Sequence, residues 1–260
     1  MQPRAVLTTE PPMLAAQRRK LILREVHVGD GVRVADLADR FAISEMTVRR
    51  DLSQLVNEGK LTRVHGGAVL EAEPPFAEIA VERLEAKQRI GRAATALVED
   101  GQTVMIDIGT TTLELARRLH GRKLRVITSS LAVLEELLPD PDIELIVLGG
   151  IVRRNYRSLV GVLAESCLRQ LSADVAFLGA SGIRQDLAVL DSVMAEVPIK
   201  RGMIASSGRA VLLADAEKFR MGGFVQVCRA DELDCIVTDL DPAAPEAERL
   251  GDANVRVVWA

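Results

Sequence analysis

The sequence predicts an α/β protein with two domains, a small helical N-terminal domain and a larger domain with a mostly parallel sheet. Two short amphipathic helices joined by a tight turn span residues 34–59. After residue 103, short runs of Val, Ile and Leu alternate with helical segments. Between them, residues 71–75 read Glu-Ala-Glu-Pro-Pro, which breaks helices. We therefore expect domains at residues 1–70 and 93–260, with a linker and an exposed connecting helix at 71–92.

Length and composition narrow the class of protein. The chain has 260 residues, enough for two domains, and it is 48% hydrophobic but only 3% aromatic, so its core must be aliphatic. Its apolar runs are much shorter than the roughly 18 residues of a membrane span. No signal peptide is evident. Cys167, Cys228 and Cys235 form no CxxC pair and no zinc spacing, which indicates reduced thiols in small core positions. We expect a cytoplasmic protein without a metal site or cofactor.

Charge is distributed unevenly along the chain. Residues 1–70 hold 11 Lys and Arg against 8 Asp and Glu, a balance of +3, whereas the remaining residues hold 22 against 29, a balance of −7. The overall net charge of −4 argues against a basic coat that covers the whole protein. A mildly basic head on an acidic body fits a protein that places only one part against phosphate.

The head is expected to contain three helices. The first spans about residues 13–27 and ends at Gly29-Asp30-Gly31, after which Val32 is expected to form a short strand. The next two are the helix pair of residues 34–59, in which Ser44 is a plausible N-cap and Gly59 a plausible C-cap. The second helix of the pair carries an outer face suited to a DNA major groove, formed by Glu45, Met46, Thr47, Arg49 and Arg50. Ser44, directly before this helix, is also expected to bind DNA.

A helix pair alone is weak support for DNA binding, because charged outer faces are usually only solvated. The segment that follows, residues 60–68, has apolar and β-favouring residues and a Gly66-Gly67 turn, which indicates a β-hairpin wing. Lys60, Arg63 and His65 would project from it toward the DNA backbone, although His65 could equally cap the hairpin. Three helices and a basic hairpin together predict a winged helix-turn-helix.

Residues 44–68, SEMTVRRDLSQLVNEGKLTRVHGGA, closely resemble the signature of the DeoR family of bacterial transcriptional regulators. The resemblance implies that the second helix of the motif reads an operator. Arg49 and Arg50 cannot both face a core, so at least one points outward and can bind guanine or phosphate. Asp51 is expected to orient an arginine, because phosphates repel a carboxylate.

The sequence of the body predicts a parallel sheet. Continuous Val, Ile and Leu runs are typical of strands that are buried on both faces. They lie at residues 104–108, 124–127, 143–148, 175–178, 210–213, 235–237 and 255–258. Small polar residues follow the strands, where ligands bind in such sheets. The segment Gly109-Thr110-Thr111-Thr112 is the first choice for a phosphate cradle, with an ordinary strand-to-helix turn as the alternative.

The body resembles the effector domain of the DeoR family, which is related in fold to sugar-phosphate isomerases. This resemblance implies a phosphorylated sugar or related metabolite as the effector. The matching effector-binding positions are Asp107, Gly109, Thr110, Thr111, Thr112, Thr128, Ser129, Gly149, Gly150, Gly179, Ser181, Gly182, Asp191, Glu196, Lys200, Asp215 and Lys218. Lys200 and Lys218 could pair with phosphate and Glu196 could accept sugar hydroxyls, or each could form a surface salt bridge.

One segment departs from the family pattern. Members often carry a Gly-Leu-Thr-Thr-like stretch where this chain has Gln185-Asp-Leu-Ala-Val-Leu-Asp-Ser192, so that apolar groups replace two hydroxyls. Asp191 and Ser192 are candidates to compensate. This departure leaves the identity of the effector open.

The leading hypothesis is a DNA-binding regulator, expected to be a repressor, that acts as a homodimer or homotetramer on double-stranded operator DNA and responds to a phosphorylated metabolite. A transcriptional activator remains open. One alternative is an enzyme that converts a sugar phosphate, with Asp107, Glu196 or Lys200 as general base. The other is a structural DNA-binding protein without an effector. The helix-turn-helix favours the regulator, for which no catalytic residue is expected.

Overall fold

A computed structural model describes residues 14–29, 32–58, 61–64, 66–70, 75–223 and 225–260. The chain divides into two compact units, Met1–Glu73 and Pro74–Ala260. None of the helices in the described ranges is long and apolar enough to cross a membrane.

The first unit has the predicted winged helix-turn-helix fold. Its elements are α1 (Ala15–Gly29), β1 (Val32–Arg33), α2 (Val34–Phe41), α3 (Glu45–Asn57), β2 (Leu61–Val64) and β3 (Gly67–Leu70). The three strands form an antiparallel sheet in the order β1-β3-β2. Helix α1 begins and ends two residues later than expected, so that Gly29 is its last residue rather than part of its stop; Asp30 and Gly31 lie outside the described residues.

The core of this unit is aliphatic, and it is formed by residues at helical spacing. Leu37 and Ala38 of α2 pack with Val48, Leu52 and Leu55 of α3. The turn between α2 and α3 uses Ala42, whose φ of 51° is left-handed. At the sheet, a Cβ atom on Gly67 would lie 2.0 Å from the Val32 carbonyl oxygen, so only glycine allows β3 to pair with β1.

The second unit is built on a parallel sheet of seven strands. Its helices are α4 (Phe76–Val81), α5 (Leu84–Thr95), α6 (Thr110–Ala116), α7 (Leu131–Leu137), α8 (Val162–Leu168), α9 (Val197–Ala205) and α10 (Pro245–Asp252). Its strands are β4 (Thr103–Ile106), β5 (Leu124–Thr128), β6 (Ile143–Val147), β7 (Ile151–Arg153), β8 (Ser158–Val160), β9 (Val175–Leu178), β10 (Gly182–Ile183), β11 (Ala188–Asp191), β12 (Ala210–Leu213), β13 (Val225–Arg229), β14 (Cys235–Thr238) and β15 (Val257–Trp259). The parallel sheet has the order β15-β14-β12-β9-β4-β5-β6.

The strand order reverses between β4 and β9. The chain runs outward from β4 through β5 and β6, and then returns to β9 on the other side of β4. Such a switch point opens a crevice beyond the carboxyl ends of the two strands, which is where open α/β sheets bind ligands. The predicted strand runs are confirmed as members of this sheet, with ends that differ by a residue or two. Apolar layers cover both faces of the sheet.

Two small antiparallel sheets were not predicted. Strands β7 and β8 form a hairpin, and β10, β11 and β13 form a second sheet. The second sheet contains the segment that departs from the family pattern, and its apolar residues Val189 and Leu190 are buried. Cys228 on β13 and Cys235 on β14 are buried core residues, whereas Cys167 is half-buried.

The expected connecting helix differs from the observed structure. Residues 71–74 lie outside the described residues, and the segment that follows forms two helices, α4 and α5, rather than one exposed helix. Both lie in the second unit, where Phe76, Ile90 and Ala94 are part of the core. The break occurs at Arg83, which has a left-handed φ of 48°. Gly91 lets α5 approach α6 closely, because a Cβ there would lie 2.7 Å from the Glu114 backbone.

Candidate DNA-reading and effector sites

The outer face of α3 is exposed as the sequence predicts. Ser44 caps the helix by accepting a hydrogen bond from the Thr47 amide at 3.3 Å. Met46 is 76% exposed. Arg49 is exposed and donates to Glu45 at 3.0 Å, one turn earlier on the same face. Arg50 is exposed too, and it makes no ion pair with a described residue.

Asp51 has a structural role in the head. It is buried, and its carboxylate pairs with Arg18 and, at 3.7 Å, with Arg19, both on α1. This agrees with the expectation that Asp51 orients an arginine. The pair holds α3 against α1 and so fixes the orientation of the exposed face of α3.

The wing is described only in part. Arg63 on β2 is exposed. Lys60, His65 and the proposed C-cap Gly59 lie outside the described residues. The C-cap position of α3 is occupied by Glu58.

The centre of the second candidate site lies at the switch point. Asp107 follows β4 and Gly179 follows β9. The Gly179 amide donates to Asp107 Oδ2 at 3.0 Å. Lys200 Nζ, from α9, donates to the same oxygen and to the Gly179 carbonyl oxygen at 3.1 Å, and it lies 3.4 Å from Asp191 Oδ2. Four residues predicted from separate segments therefore meet at one point.

The charges of this centre are almost completely buried. Lys200 is 2% exposed and Asp107 is 0% exposed. Burial raises the pKa of Asp107 and opposes the charge on Lys200. The carboxylates of Asp107 and Asp191 outweigh burial at the lysine, so the pKa of Lys200 lies above its ordinary value. Lys200 is therefore a permanent cation at neutral pH.

Glu196 lies beside this centre and is 1% exposed. Its Oε1 accepts a hydrogen bond from Ser158 Oγ at 2.6 Å and another from Arg153 Nη1. Burial raises the pKa of Glu196, against the effect of Arg153 and the Ser158 hydroxyl. Arg153 and Ser158 come from the β7–β8 hairpin, which the sequence did not predict.

The predicted phosphate cradle contains two kinds of threonine. Gly109 has a φ of 141°, a backbone conformation that side chains rarely adopt. Thr112 Oγ1 donates to the Asp107 and Gly109 carbonyl oxygens, both at 2.9 Å, and so stabilises the turn itself. The hydroxyls of Thr110 and Thr111 form no hydrogen bond with another described residue. The structure therefore assigns Thr112 to the turn and leaves the other two hydroxyls available.

Other predicted residues at this edge are accounted for by the fold. Thr128 Oγ1 donates to the Ile106 carbonyl at 2.6 Å, and Ser181 Oγ accepts from the Ser192 amide at 2.9 Å. A Cβ on Gly150 would lie 2.5 Å from the Val160 carbonyl oxygen, and one on Gly182 would lie 2.4 Å from that of Met221. A Cβ on Gly149 would meet nothing within 4 Å. Thr128 and Ser181 thus shape the edge through side-chain hydrogen bonds, and Gly150 and Gly182 do so by close backbone packing, whereas Gly149 has open space beside it.

A second charged cluster lies at the end of β12. Asp215 is 1% exposed, and its Oδ1 lies 3.0 Å from Arg83 Nη1. Lys218 is half-buried, and burial lowers its pKa. Lys87 on α5 is fully buried and donates to the Ile79 carbonyl; burial lowers its pKa to about 8, against the attraction of Asp215. Lys218 makes no hydrogen bond or ion pair with a described residue.

Buried oxygen atoms without partners mark this edge of the sheet. Among the described residues, four buried side-chain oxygens form no hydrogen bond: Asp107 Oδ1, Ser129 Oγ, Glu196 Oε2 and Asp215 Oδ2. Buried polar groups without a partner are uncommon in native proteins, and each calls for a physical explanation. All four belong to residues at the carboxyl edge that the sequence singled out.

Sequence reasoning missed four residues of these clusters: Arg83, Lys87, Arg153 and Ser158. Arg153 had a weak sequence signal, because it follows Gly149-Gly150 closely. The buried lysine had none, since Lys87 lies in a charged segment that resembles a solvated helix. Within the described ranges, no group of three His, Cys, Asp or Glu side chains could hold a metal ion.

Comparisons with known proteins agree with both parts of the chain. The model of the DeoR-like helix-turn-helix domain matches residues 18–73, and that of the DeoR C terminal sensor domain matches residues 82–240. The HTH-type transcriptional regulator GlpR of Haloferax volcanii is 34% identical over 252 residues, which cover 95% of this chain and 98% of that protein. The Glycerol-3-phosphate regulon repressor of Escherichia coli is 30% identical over 249 residues, 94% and 99% of the two chains.

Among solved structures, ribose 5-phosphate isomerase A from Methanocaldococcus jannaschii aligns with a TM-score of 0.40 at 17% identity, over 53% of this chain and 55% of that one. At that score the likeness supports no statement about function. The sensor-domain match covers more than half of the chain, and the relatives match over nearly their whole length. The chain therefore belongs to the DeoR family and is a DNA-binding transcriptional regulator.

Proposed function

We propose that this regulator represses a carbohydrate-metabolism operon and is released from its operator by a phosphorylated sugar or a related metabolite. Repression is proposed because a relative that matches over 94% of this chain is named as the repressor of a glycerol-3-phosphate regulon. A dimer across two half-sites would block transcription, so the proposal includes a homodimer or homotetramer. An effector that binds the DNA-free form more tightly shifts the population away from DNA.

The observation that carries the effector proposal is the set of unpartnered oxygens. Three of the four, on Asp107, Glu196 and Asp215, are carboxylate oxygens. An ionised carboxylate only accepts hydrogen bonds, so the groups that satisfy it must be donors. The hydroxyl groups of a sugar are donors, and several can be presented together by one small molecule. The edge therefore suits a polyhydroxylated ligand.

The phosphate of such a ligand needs a different set of groups. Thr110 and Thr111 provide hydroxyls at the predicted cradle, and the turn at Gly109 brings backbone close to a ligand. Lys218 provides a cation that no described residue pairs. In this assignment Lys200 does not bind phosphate directly but holds the carboxylates of Asp107 and Asp191 in place.

We also propose that the body binds its ligand without converting it. A general base must reach a substrate proton in a suitable protonation state. Asp107 is held by Lys200 and Gly179, and Glu196 is held by Arg153 and Ser158. These contacts favour a fixed binding surface. Sustained conversion of a sugar phosphate by the purified protein would contradict this part of the proposal.

The effector proposal predicts a rise in melting temperature with the right sugar phosphate. Glycerol 3-phosphate, ribose 5-phosphate, fructose 1-phosphate and fructose 6-phosphate form the first panel. A ligand at 100 times its dissociation constant stabilises the folded state by about 2.7 kcal/mol. For a unit of this size that corresponds to roughly 5–10 °C. Differential scanning calorimetry on the full chain measures the shift.

Two controls make this measurement specific. Inorganic phosphate tests whether the sugar hydroxyls contribute, and it should give a smaller shift than the active sugar phosphate. The variant Asp215→Asn loses an acceptor at the site and should weaken the shift, whereas Asp252→Asn, at an exposed position at the end of α10, should not. If no panel member stabilises the protein, the effector proposal is wrong for this chemical class.

A second prediction concerns the exposed arginines of α3. Arg49→Ala or Arg50→Ala should weaken operator binding by about 1–3 kcal/mol, roughly 5- to 150-fold in Kd, as for an arginine that contacts a base. Arg50 should show the larger loss, because Arg49 already pairs with Glu45. Fluorescence anisotropy with a fragment selected by the full chain from random DNA gives the affinities. Arg92→Ala, an exposed arginine on α5, is the matched control. Unchanged binding in both head variants would refute the groove assignment.

A further inference from the structure

The β7–β8 hairpin contacts Glu196 through the two residues that flank its turn. Arg153 is the last residue of β7, and Ser158 is the first residue of β8. Both donate to the same carboxylate oxygen of Glu196, Ser158 Oγ at 2.6 Å. Glu196 and Ser158 are 1% and 0% exposed. The position of the Glu196 carboxylate and the position of the two residues that flank the hairpin turn therefore depend on each other.

The turn of the same hairpin contacts the beginning of α4. The Phe76 amide donates to the Asn155 carbonyl oxygen at 2.9 Å. The Phe76 ring meets Tyr156 edge to face, with ring centroids 5.6 Å apart and an interplanar angle of 82°. The Arg157 guanidinium lies 6.0 Å from the centroid of the Phe76 ring, within cation–π distance. The Phe76 side chain is 4% exposed, so it makes these contacts in a buried environment.

Phe76 is the first residue of α4 and lies three positions after Glu73, where the first unit ends. Direct contacts thus connect Glu196 to the first residue of α4, near the beginning of the second unit. They pass through Arg153 and Ser158, which flank the turn of the hairpin, and through Asn155 and Tyr156 within that turn. Energetic coupling between sites is carried by packed side chains and hydrogen bonds of this kind when the element that holds them can move as a unit.

We propose that Arg153 and Ser158 are positioning residues of the effector site, and that the β7–β8 hairpin transmits the state of Glu196 to α4, from which the chain leads back into the DNA-reading head. The effector role of Glu196 rests on the function proposed above. A ligand hydroxyl bound at Glu196 Oε2 favours one arrangement of the carboxylate, and the hairpin and the start of α4 follow. The size of the response is limited by the difference in ligand affinity between the two arrangements.

Hydrogen exchange tests this coupling without any ligand. Glu196→Gln keeps the shape of the side chain but removes the ion pair with Arg153. We expect amide exchange in the hairpin and in peptides that cover α4 to become about 2- to 30-fold faster, the range produced by mutations along a coupling route. Mass spectrometry on the full chain measures it.

The matched control is Asp191→Asn. Asp191 is 5% exposed and lies at the same site, where it contacts Lys200. It makes no hydrogen bond or ion pair with residues 151–160 among those described. This variant should leave α4 exchange unchanged after correction for any shift in Tm. Equal acceleration of α4 in both variants would overturn the proposal, because it would reflect a general loss of stability.

A double variant tests whether Arg153 and Glu196 act on α4 through their shared contact. Arg153→Gln combined with Glu196→Gln should accelerate α4 no more than either single change, because both remove the same interaction. Additive effects would overturn the coupling. Should Glu196→Gln fail to fold, Ser158→Ala removes one donor only and should accelerate the same peptides. These outcomes do not depend on sugar phosphates, so failure of the effector proposal would appear separately, in the calorimetric panel.

Discussion

Replacing Lys200 with methionine should lower the free energy of unfolding of the second unit by about 3–5 kcal/mol, the usual cost of removing one partner of a buried ion pair. The substitution leaves Asp107 at 0% exposure with only the Gly179 amide as a partner, and it leaves Asp191 without its cation. Urea denaturation of the full chain, followed by circular dichroism, measures the difference.

Two controls separate this charge effect from a packing effect. Adding Asp107→Asn to Lys200→Met should restore part of the stability, because it removes the buried charge of Asp107 while the amide oxygen still accepts from Gly179. The rescue is partial, since the carboxylate of Asp191 still lacks its cation. Lys123→Met, at an exposed position, should change stability by less than about 0.5 kcal/mol. If Asp107→Asn lowers the stability of Lys200→Met further, the loss of stability does not come from the buried charge of Asp107.

The pH dependence of this prediction has a definite sign. The pKa of Lys200 is raised in the folded protein, so its contribution is present in full below the unfolded value of 10.5. It is lost only as the pH rises through the folded value, which is higher still. The contribution of the Lys200 charge itself should therefore stay constant across neutral pH.

The second large effect is expected at Asp51. Asp51→Asn should destabilise the first unit by about 2–4 kcal/mol and weaken operator binding with it. The side chains of Arg18 and Arg19 are 11% and 22% exposed, so the substitution removes a buried carboxylate that lies beside two partly buried cations. Breaking a fully buried ion pair costs about 3–5 kcal/mol, and we expect a smaller cost here because Arg19 is partly exposed.

Hydrogen exchange in α1 and α3 of the full chain reports the stability of the head directly. Asp39→Asn on α2 is the control, since Asp39 is exposed and makes no ion pair with a described residue. Unchanged hydrogen exchange in Asp51→Asn would show that the ion pair between α1 and α3 contributes nothing measurable to the stability of the head. Weaker operator binding with unchanged exchange would instead indicate that Asp51 positions an α3 side chain for DNA.

Local patterns were enough to predict the parts of the fold that depend on regular spacing. The helical spacing of Val48, Leu52 and Leu55 predicted the buried face of α3, and continuous apolar runs predicted the strands of the parallel sheet. Asp107 and Gly179 were identified because residues that follow parallel strands meet at one edge. The role of Asp51 followed from charge alone, since a carboxylate on a DNA-facing helix needs another partner.

The parts that were missed depend on contacts between distant segments. The β7–β8 hairpin consists of two three-residue strands, too short for a periodic pattern. Arg83 breaks the expected connecting helix in a left-handed conformation and pairs with the buried Asp215, far away in sequence. Ser158 acquires its partner Glu196 only when the hairpin folds back toward α9. No local propensity encodes such pairings, because tertiary packing decides them.

The order of the strands also has a consequence for how the chain is made. The ion pair between α1 and α3 joins residues 33 positions apart, whereas Lys200 and Asp107 are separated by 93. The switch point requires β9 to join β4 after β5 and β6 have been synthesised. At 5–20 residues per second, the ribosome needs roughly 7 to 30 seconds to add the approximately 150 residues between the wing and Lys218. During synthesis, the first unit can therefore fold before the second unit has been fully synthesised.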